Sequence, residues 1–274
     1  MKYRKTLGAV CAGLLLGLFF YWQNNGLMLN RMTYQGDIPK SFDGYKILHL
    51  SDLQNKVYRR NQAPLLKKIR ASEPDMIVFT GDLLDRHEGR TDVDIAMAFI
   101  HEIKDIAPVY FVSGNHEHQS GAWEELLERL VEAGVTVLDN GKSIIEKDGD
   151  TITLIGLADK KVNQHYDKLL HTLMAGQAES FNILLSHRPE LFETYVKENL
   201  DLVFSGHAHG GQFVIPALRQ GIFAPHQGFF PKYTEGMHEK DGTVMIVSRG
   251  LGNSGFPIRI FNRPELIEVT LTKK

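Results

Sequence analysis

Five short apolar runs, each with at least one β-branched residue, at 45–50, 76–80, 109–112, 183–185 and 202–204, break off into clusters of polar side chains of the kinds that bind metal ions. Such runs are too short for helices, and being mostly apolar they read as buried strands. Ser51-Asp52-Leu53-Gln54-Asn55 follows the first, Gly81-Asp82-Leu83-Leu84-Asp85 the second and Ser113-Gly114-Asn115-His116-Glu117 the third. The last two lead into Ser186-His187-Arg188 and Ser205-Gly206-His207-Ala208-His209. Between them, 63–69, 93–103, 123–131 and 191–196 carry apolar residues at three- and four-residue spacing, the helical period. Alternating strands and helices predict an α/β layered core, and further strand-like runs at 151–157, 244–247 and 267–271 predict a second sheet packed on the first. Open α/β sheets bind ligands at the carboxyl ends of their strands, so the pattern gathers carboxylates, an Asn amide and four histidines at one rim.

Composition narrows the metal. A single Cys among 274 residues removes a disulfide framework and any Cys-rich zinc module, whereas twelve His favour imidazole and carboxylate ligands. Oxygen and nitrogen donors without thiolate suit Mn, Fe, Zn or Co. Thirty-one basic against thirty-three acidic residues leave a net charge of -2, with no global positive excess to hold a phosphate backbone, so no nucleic-acid partner is expected. Each signal alone is weak: an Asp after a strand is ordinarily an N-cap or turn residue, and a lone His is ordinarily just hydrogen-bonded. Recurrence at one position relative to five strands outweighs that ordinary reading. His87, His101, His118, His165 and His171 match no ligand position and read as surface residues, and Arg188-Pro189-Glu190 reads as the start of the next helix.

Lys2, Arg4 and Lys5 precede an uncharged run at 6–22, which reaches roughly 25 Å as a helix, enough to cross a bilayer with Tyr21 and Trp22 at the interface. Basic flanks stay cytoplasmic, which predicts a single-pass anchor over 1–27 with one domain, 28–274, outside the cytoplasmic membrane. A cleaved signal peptide is the competing reading, but Gln23-Asn24-Asn25-Gly26 offers no small-residue cleavage site, and Cys11 sits inside the apolar run rather than after it.

The order Asp52-Leu53-Gln54, Gly81-Asp82-Leu83-Leu84-Asp85, Gly114-Asn115-His116-Glu117, His187, Gly206-His207-Ala208-His209 resembles the calcineurin-like metallophosphoesterases over most of the chain after about residue 44. Gly210-Gly211-Gln212, with Val247-Ser248-Arg249-Gly250-Leu251-Gly252 downstream, is similar to the membrane-associated bacterial branch that includes UDP-2,3-diacylglucosamine pyrophosphatase-like enzymes. The resemblance implies a four-layer α/β/β/α sandwich and two divalent metal ions bridged by Asp82. It implies Asp52 and His209 at the first ion, and Asn115, His187 and His207 at the second. His116 would face the scissile phosphate as general acid, while Asp85 and Glu117 would orient ligands.

Where the resembled motif ends in His, this chain has Gln54. An amide oxygen is a poorer ligand for these ions than imidazole, so the first site is expected to bind its ion more weakly. Asn55 is its neighbour but, in an extended segment, would point to the opposite face. The activity expected is hydrolysis of a phosphomonoester, phosphodiester or pyrophosphate by a water shared between two ions, on a phosphorylated small molecule or lipid-linked substrate. The alternative is a metal- or phosphate-binding protein of the same fold in which Gln54 has abolished turnover. His226, His238, Lys232, Tyr233 and Arg249 lie in loop-like stretches open to substrate, although ordinary loop roles are favoured for each. Oligomeric state is not legible.

Overall fold

The computed structural model describes residues 2–87, 89–159, 165–177, 180–253 and 255–274. After α1 (Lys2–Asn25) come β1 (Met28–Gly36), β2 (Lys46–Leu50), α2 (Ala63–Ser72), β3 (Met76–Phe79), α3 (Val93–Lys104), β4 (Val109–Phe111), α4 (Asn115–Ser120), α5 (Trp123–Glu132) and β5 (Thr136–Val137). The second half holds β6 (Gly141–Lys147), β7 (Asp150–Leu157), α6 (Tyr166–Met174), β8 (Phe181–Ser186), α7 (Phe192–Lys197) and β9 (Leu202–Ser205). Four two-residue strands follow: β10 (Val214–Ile215), β11 (Gln220–Gly221), β12 (Phe223–Ala224) and β13 (Gly228–Phe229). β14 (Gly236–Lys240), β15 (Thr243–Val247) and β16 (Glu265–Lys273) complete the fold.

Two six-stranded sheets result, ordered β1-β16-β2-β3-β4-β5 and β14-β15-β9-β8-β7-β6. In the first, β2 to β5 are parallel, and β16 runs antiparallel to β2 but parallel to β1. In the second, β15, β9, β8 and β7 are parallel, with β14 and β6 antiparallel at the edges. The five ligand-bearing strands therefore do not share one sheet, as the single-rim reading has it: β2, β3 and β4 lie in the first and β8 and β9 in the second. The run at 267–271 likewise belongs to the first sheet and not to the second.

Alternation along each strand explains why the runs are apolar at most positions. Ile47 and Val78 face the second sheet and meet Ile183, Leu185, Leu202 and Phe204. Leu48, Leu50, Ile77 and Phe79 face the other way, onto Leu65, Ile69, Phe99 and Ile100 of α2 and α3. On the far side Leu184, Val203 and Met245 pack on Tyr166, Leu170 and Tyr195 of α6 and α7. Successive side chains of a strand point to opposite faces, so a strand covered on both sides is apolar at nearly every position, and the buried exception in β2, His49, bonds to Thr80 Oγ1 at 2.8 Å. The layers are helix, sheet, sheet, helix: a four-layer α/β/β/α sandwich.

Helix α1 stands apart, exposed along most of its length, and residues 5–25 are long and apolar enough to cross a membrane. Its last turn is fastened to the domain. The Asn24 side chain accepts from Arg259 N at 2.9 Å and from Asn253 Nδ2 at 3.2 Å, and the Arg263 guanidinium lies 4.2 Å over the Trp22 ring.

Phe204 is wholly buried between the sheets, its ring 5.1 Å from that of His49. Phe204→Ala is expected to lower unfolding free energy by about 3–5 kcal/mol, the usual cost of deleting a buried aromatic ring. Denaturant unfolding in detergent measures it, and a wild-type midpoint would contradict this packing.

Candidate metal centre

The strands end where the ligand-type residues begin. Asp52 and Gln54 follow β2, Asp82 follows β3, Asn115 and His116 open α4 after β4, His187 follows β8, and His207 and His209 follow β9. Asp52, Gln54, Asp82, His207 and His209 all take positive φ, between 47° and 65°. That conformation is costly for a residue with a side chain and persists where the surroundings enforce it. Here backbone bonds do so: Asp52 N and Gln54 N donate to Gly81 O and Asp82 O, both at 2.9 Å, and lock the loop after β2 to the loop after β3. Crowding makes the neighbours glycine. A Cβ at Gly114 would overlap the Asp82 carboxylate, and one at Gly206 would overlap Ser51 and Asp52.

The sequence-derived residues converge. Asp82 lies at the centre, its Oδ1 accepting from His116 N at 2.8 Å. Its Oδ2 is 3.4 Å from His187 Nε2, 3.7 Å from His116 Nε2 and 3.5 Å from Gln54 Nε2. Asp52 Oδ1 lies 3.2 Å from His209 Nε2, and His207 Nδ1 lies 3.1 Å from His187 Nε2. Two groups of possible ligands share Asp82: Asp52, Asp82 and His209 on one side, Asp82, His187 and His207 on the other, each with its donor atoms within 4.8 Å of one another. Asn115, His116 and His226 line the same small cavity, about 70 Å³.

Two further atoms fit these groups to cations. Asn115 Oδ1 and Gln54 Oε1 are buried with no hydrogen-bond partner, which is costly for an amide oxygen unless an ion or water accepts its lone pairs. The Gln54 amide nitrogen sits 3.1 Å from His209 Nε2, so this side chain lies among the first group of donors. Asn55 does not: its side chain accepts from Asp85 N and donates to Asp92 O, clamping the loop that follows Asp82. Both residues stand in a turn of positive φ, not in an extended strand, yet they diverge as expected.

Protonation is set by neighbours. His187 Nδ1–H donates to Thr80 O at 2.7 Å, which aims Nε2 at Asp82 and His207; burial would lower this imidazole, but the Asp82 carboxylate raises it to about 10, so a cation bound there displaces the Nε2 proton. Burial alone would raise Asp82, but the His187 and His116 rings hold its carboxyl well below the usual range. His207 is pushed well below the ordinary imidazole range by burial, then by His187 and Arg188, so its ring is neutral, the form that binds metals. Glu117 accepts from Asp82 N at 2.8 Å, Gly114 N at 2.7 Å and Leu84 N at 3.0 Å, joining the loops after β3 and β4. Burial and the Asp82 charge raise it to about 7 against the pull of those three donors. Asp85 accepts from His87 N at 3.0 Å, lies 2.6 Å from His87 Nδ1, and stands 3.9 Å from His116 Nδ1.

Other residues stand elsewhere than expected. His87 and His118 are half-buried rather than on the surface, His87 against Asp85 and His118 2.7 Å from Ser113 Oγ. Arg249 is not in the metal cavity; it pairs with Glu265 at 2.7 Å and, with Lys232 and His238, lines a separate cavity of about 580 Å³. Arg188, read as a helix start, is fully buried. Its Nε and Nη2 donate to both oxygens of Asp159 at 2.5 and 2.9 Å, and its Nη1 lies 2.9 Å from His207 Nε2 and 2.7 Å from His226 Nδ1. Its guanidinium fills the space between Glu190, His207 and His226, a third cluster of donor atoms. Arg259 and Asn262 were missed as well: Arg259 Nη2 is 3.3 Å from His209 Nδ1, and Asn262 Nδ2 donates to His209 O at 2.7 Å.

The family model described as Calcineurin-like phosphoesterase matches residues 45–211, which carry Asp52, Gln54, Asp82, Asn115, His116, His187, His207 and His209 but not His226. The chain is 30% identical over 269 residues to a protein of Bacillus subtilis (strain 168) named Uncharacterized metallophosphoesterase YkuE, across 96% of this chain and 92% of that one. A Danio rerio protein named Transmembrane protein with metallophosphoesterase domain is 27% identical over 246 residues, 85% of this chain and 54% of that one. The crystal structure of a Thermus thermophilus protein superposes with a TM-score of 0.50 at 13% identity, over 76% of this chain and 90% of that one, a likeness of fold alone. On the family match and the YkuE likeness together, the chain belongs to the calcineurin-like metallophosphoesterases and is a metal-dependent phosphoester hydrolase.

Proposed function

We propose that this chain is a dinuclear phosphoesterase, anchored in the cytoplasmic membrane by residues 1–27 with its catalytic domain, 28–274, on the outer side. Its substrate is a phosphomonoester, phosphodiester or pyrophosphate on a small molecule or a lipid-linked carrier. The observation that carries the reading is the sharing of one carboxylate, Asp82, by two donor groups. Asp52, His209 and Gln54 would hold the first ion, and Asn115, His187 and His207 the second. When bound, two such cations neutralise phosphate charge and make a water acidic enough to attack near neutral pH.

The chain's own groups supply the rest. Arg86 N donates to His116 Nδ1 at 3.2 Å, so the proton of the neutral ring is on Nε2, the nitrogen on the Asp82 side. From there it can protonate a leaving oxygen or bond to charge developing on the phosphate. Asp159, through Arg188, fixes the orientation of His207, and Asn262 with Arg259 fixes His209. The exposed helix α1 and the name of the Danio rerio relative support the anchor, and the basic residues before it support the orientation. The unpartnered Gln54 Oε1 favours a ligand role over a Gln that has abolished turnover.

The purified full chain in detergent is expected to hydrolyse some member of a panel of chromogenic phosphomonoesters and phosphodiesters with Mn²⁺, to lose that activity to a chelator, and to regain it on Mn²⁺ return. Inactivity towards the whole panel would favour the binding-only alternative. His116→Ala is expected to keep its metal content but lower turnover by roughly 10² to 10⁴, the usual worth of a general acid; full-rate hydrolysis would remove His116 from the mechanism. Gln54→His is expected to tighten the weaker site by about tenfold or more, judging from the 10- to 100-fold that even a ligand's hydrogen-bond partner is worth. Titration calorimetry with unchanged affinity and stoichiometry would count against Gln54 as a ligand.

A further inference from the structure

Apart from α1, the five strongly exposed phenylalanines among the described residues fall in two stretches: Phe223, Phe229 and Phe230 in one, Phe256 and Phe261 in the other, with Leu218 beside them at 71% exposure. These stretches form one ribbon. Gln212 Nε2 donates to Phe256 O and Ile258 O at 2.8 and 2.9 Å, Val214 N donates to Ile260 O at 3.1 Å, and Ile222 N donates to Phe213 O at 2.8 Å. Phe230 N closes the ribbon on Ile222 O at 2.9 Å. Soluble surfaces scatter large apolar side chains singly; a contiguous set of aromatic rings on loop tips marks a surface that meets something apolar.

What it meets is fixed by where the ribbon touches α1. The Phe261 ring packs 5.6 Å from that of Phe19, which lies three residues, about 4.5 Å of helix, inside the apolar run that ends at Trp22. Arg263 covers Trp22 itself, and Arg219 stands at the rim of the ribbon with its side chain 85% exposed. A Phe261 ring at the depth of an interfacial Trp, with the Arg263 and Arg219 guanidinium groups beside it, matches a bilayer's acyl boundary and its anionic head groups.

We infer that this ribbon is a second membrane contact, resting on the bilayer beside α1 and holding the metal cavity at head-group level. The inference rests on the reading that α1 enters the bilayer. Pro225 and His226, in the turn between β12 and β13, line the metal cavity, so the rings that meet the lipid and the wall of the cavity belong to one hairpin. A phosphate carried on a lipid then reaches the cavity without leaving its membrane.

The lone thiol makes the test direct. In full-length Cys11→Ser protein, Phe229→Cys, Leu15→Cys and Ile144→Cys are each labelled with an environment-sensitive fluorophore and reconstituted into phosphatidylcholine–phosphatidylglycerol vesicles. Ile144, at 68% exposure on β6, is the control remote from the ribbon. Blue-shifted emission, lost to doxyl-labelled lipid, is expected at 229 and 15 but not at 144. A label at 229 that behaves like the one at 144 while 15 is quenched overturns the ribbon and leaves the anchor standing. Quenching at neither 229 nor 15 overturns both. Quenching at 229 without 15 rejects the spanning helix, and with it a second contact placed beside that helix.

Discussion

Two sheets stacked face to face can share a single rim of ligands only if their parallel strands stop at the same level, and here the apolar layer between them sets that level. Ile47 and Val78 from one sheet meet Ile183, Leu185 and Phe204 from the other. Directly above this layer the sheets exchange polar contacts: His187 Nδ1 reaches Thr80 O, and the Asp52 carboxylate accepts from His207 N at 3.1 Å. Metal–ligand distances tolerate about 0.2 Å, less than the shift that a repacked core imposes on its surface. The chemistry at Asp82 is therefore as sensitive to methyl groups some distance below it as to the ligands beside it.

Much of this was legible in the sequence, because the signal was positional. Buried parallel strands are apolar at most positions, so each run ends visibly in a polar segment, and the carboxylates, amides and imidazoles that meet around Asp82 lie within five residues of those ends. What could not be read was the partition of strands between sheets. Local pattern does not record pairing partners, and β16, far along the chain, lies between β1 and β2. The strand β1 and the helix α6 also escaped notice. Met28–Gly36 includes Asn30, Arg31 and Gln35 on an edge that needs no apolar outer face, and Tyr166–Met174 begins without a capping side chain.

Arg188 and Asp159 were missed for a different reason. The rule that found the ligands, a polar side chain just past a buried strand, applies equally to Ala158-Asp159 after β7 and to Arg188 after His187. Arg188 is no ligand for these ions, and Asp159, although of a ligand type, follows a run, 151–157, that reads only as part of the second sheet. Yet they orient a ligand, and burial of an arginine together with its carboxylate partner is sustained only where geometry and hydrogen bonding are nearly complete. Arg259 and Asn262 carry no such sequence mark; their role arises from a loop that returns beneath His209 after fifty residues of intervening chain.

The pairing of β1 with β16 runs in register over nine residues, from Met28 with Glu265 to Gly36 with Lys273. These strands are separated by almost the whole sequence, and β2 also waits for β16 as its neighbour. Nascent chain leaving the ribosome can build the second sheet from contiguous segments, but it cannot complete the first until residues 265–273 have been synthesised. Through most of its translation, the segment that follows α1 is an unpaired strand next to an apolar helix, and the loops after β2 and β3 wait for the last strand before the sheet that carries them is whole.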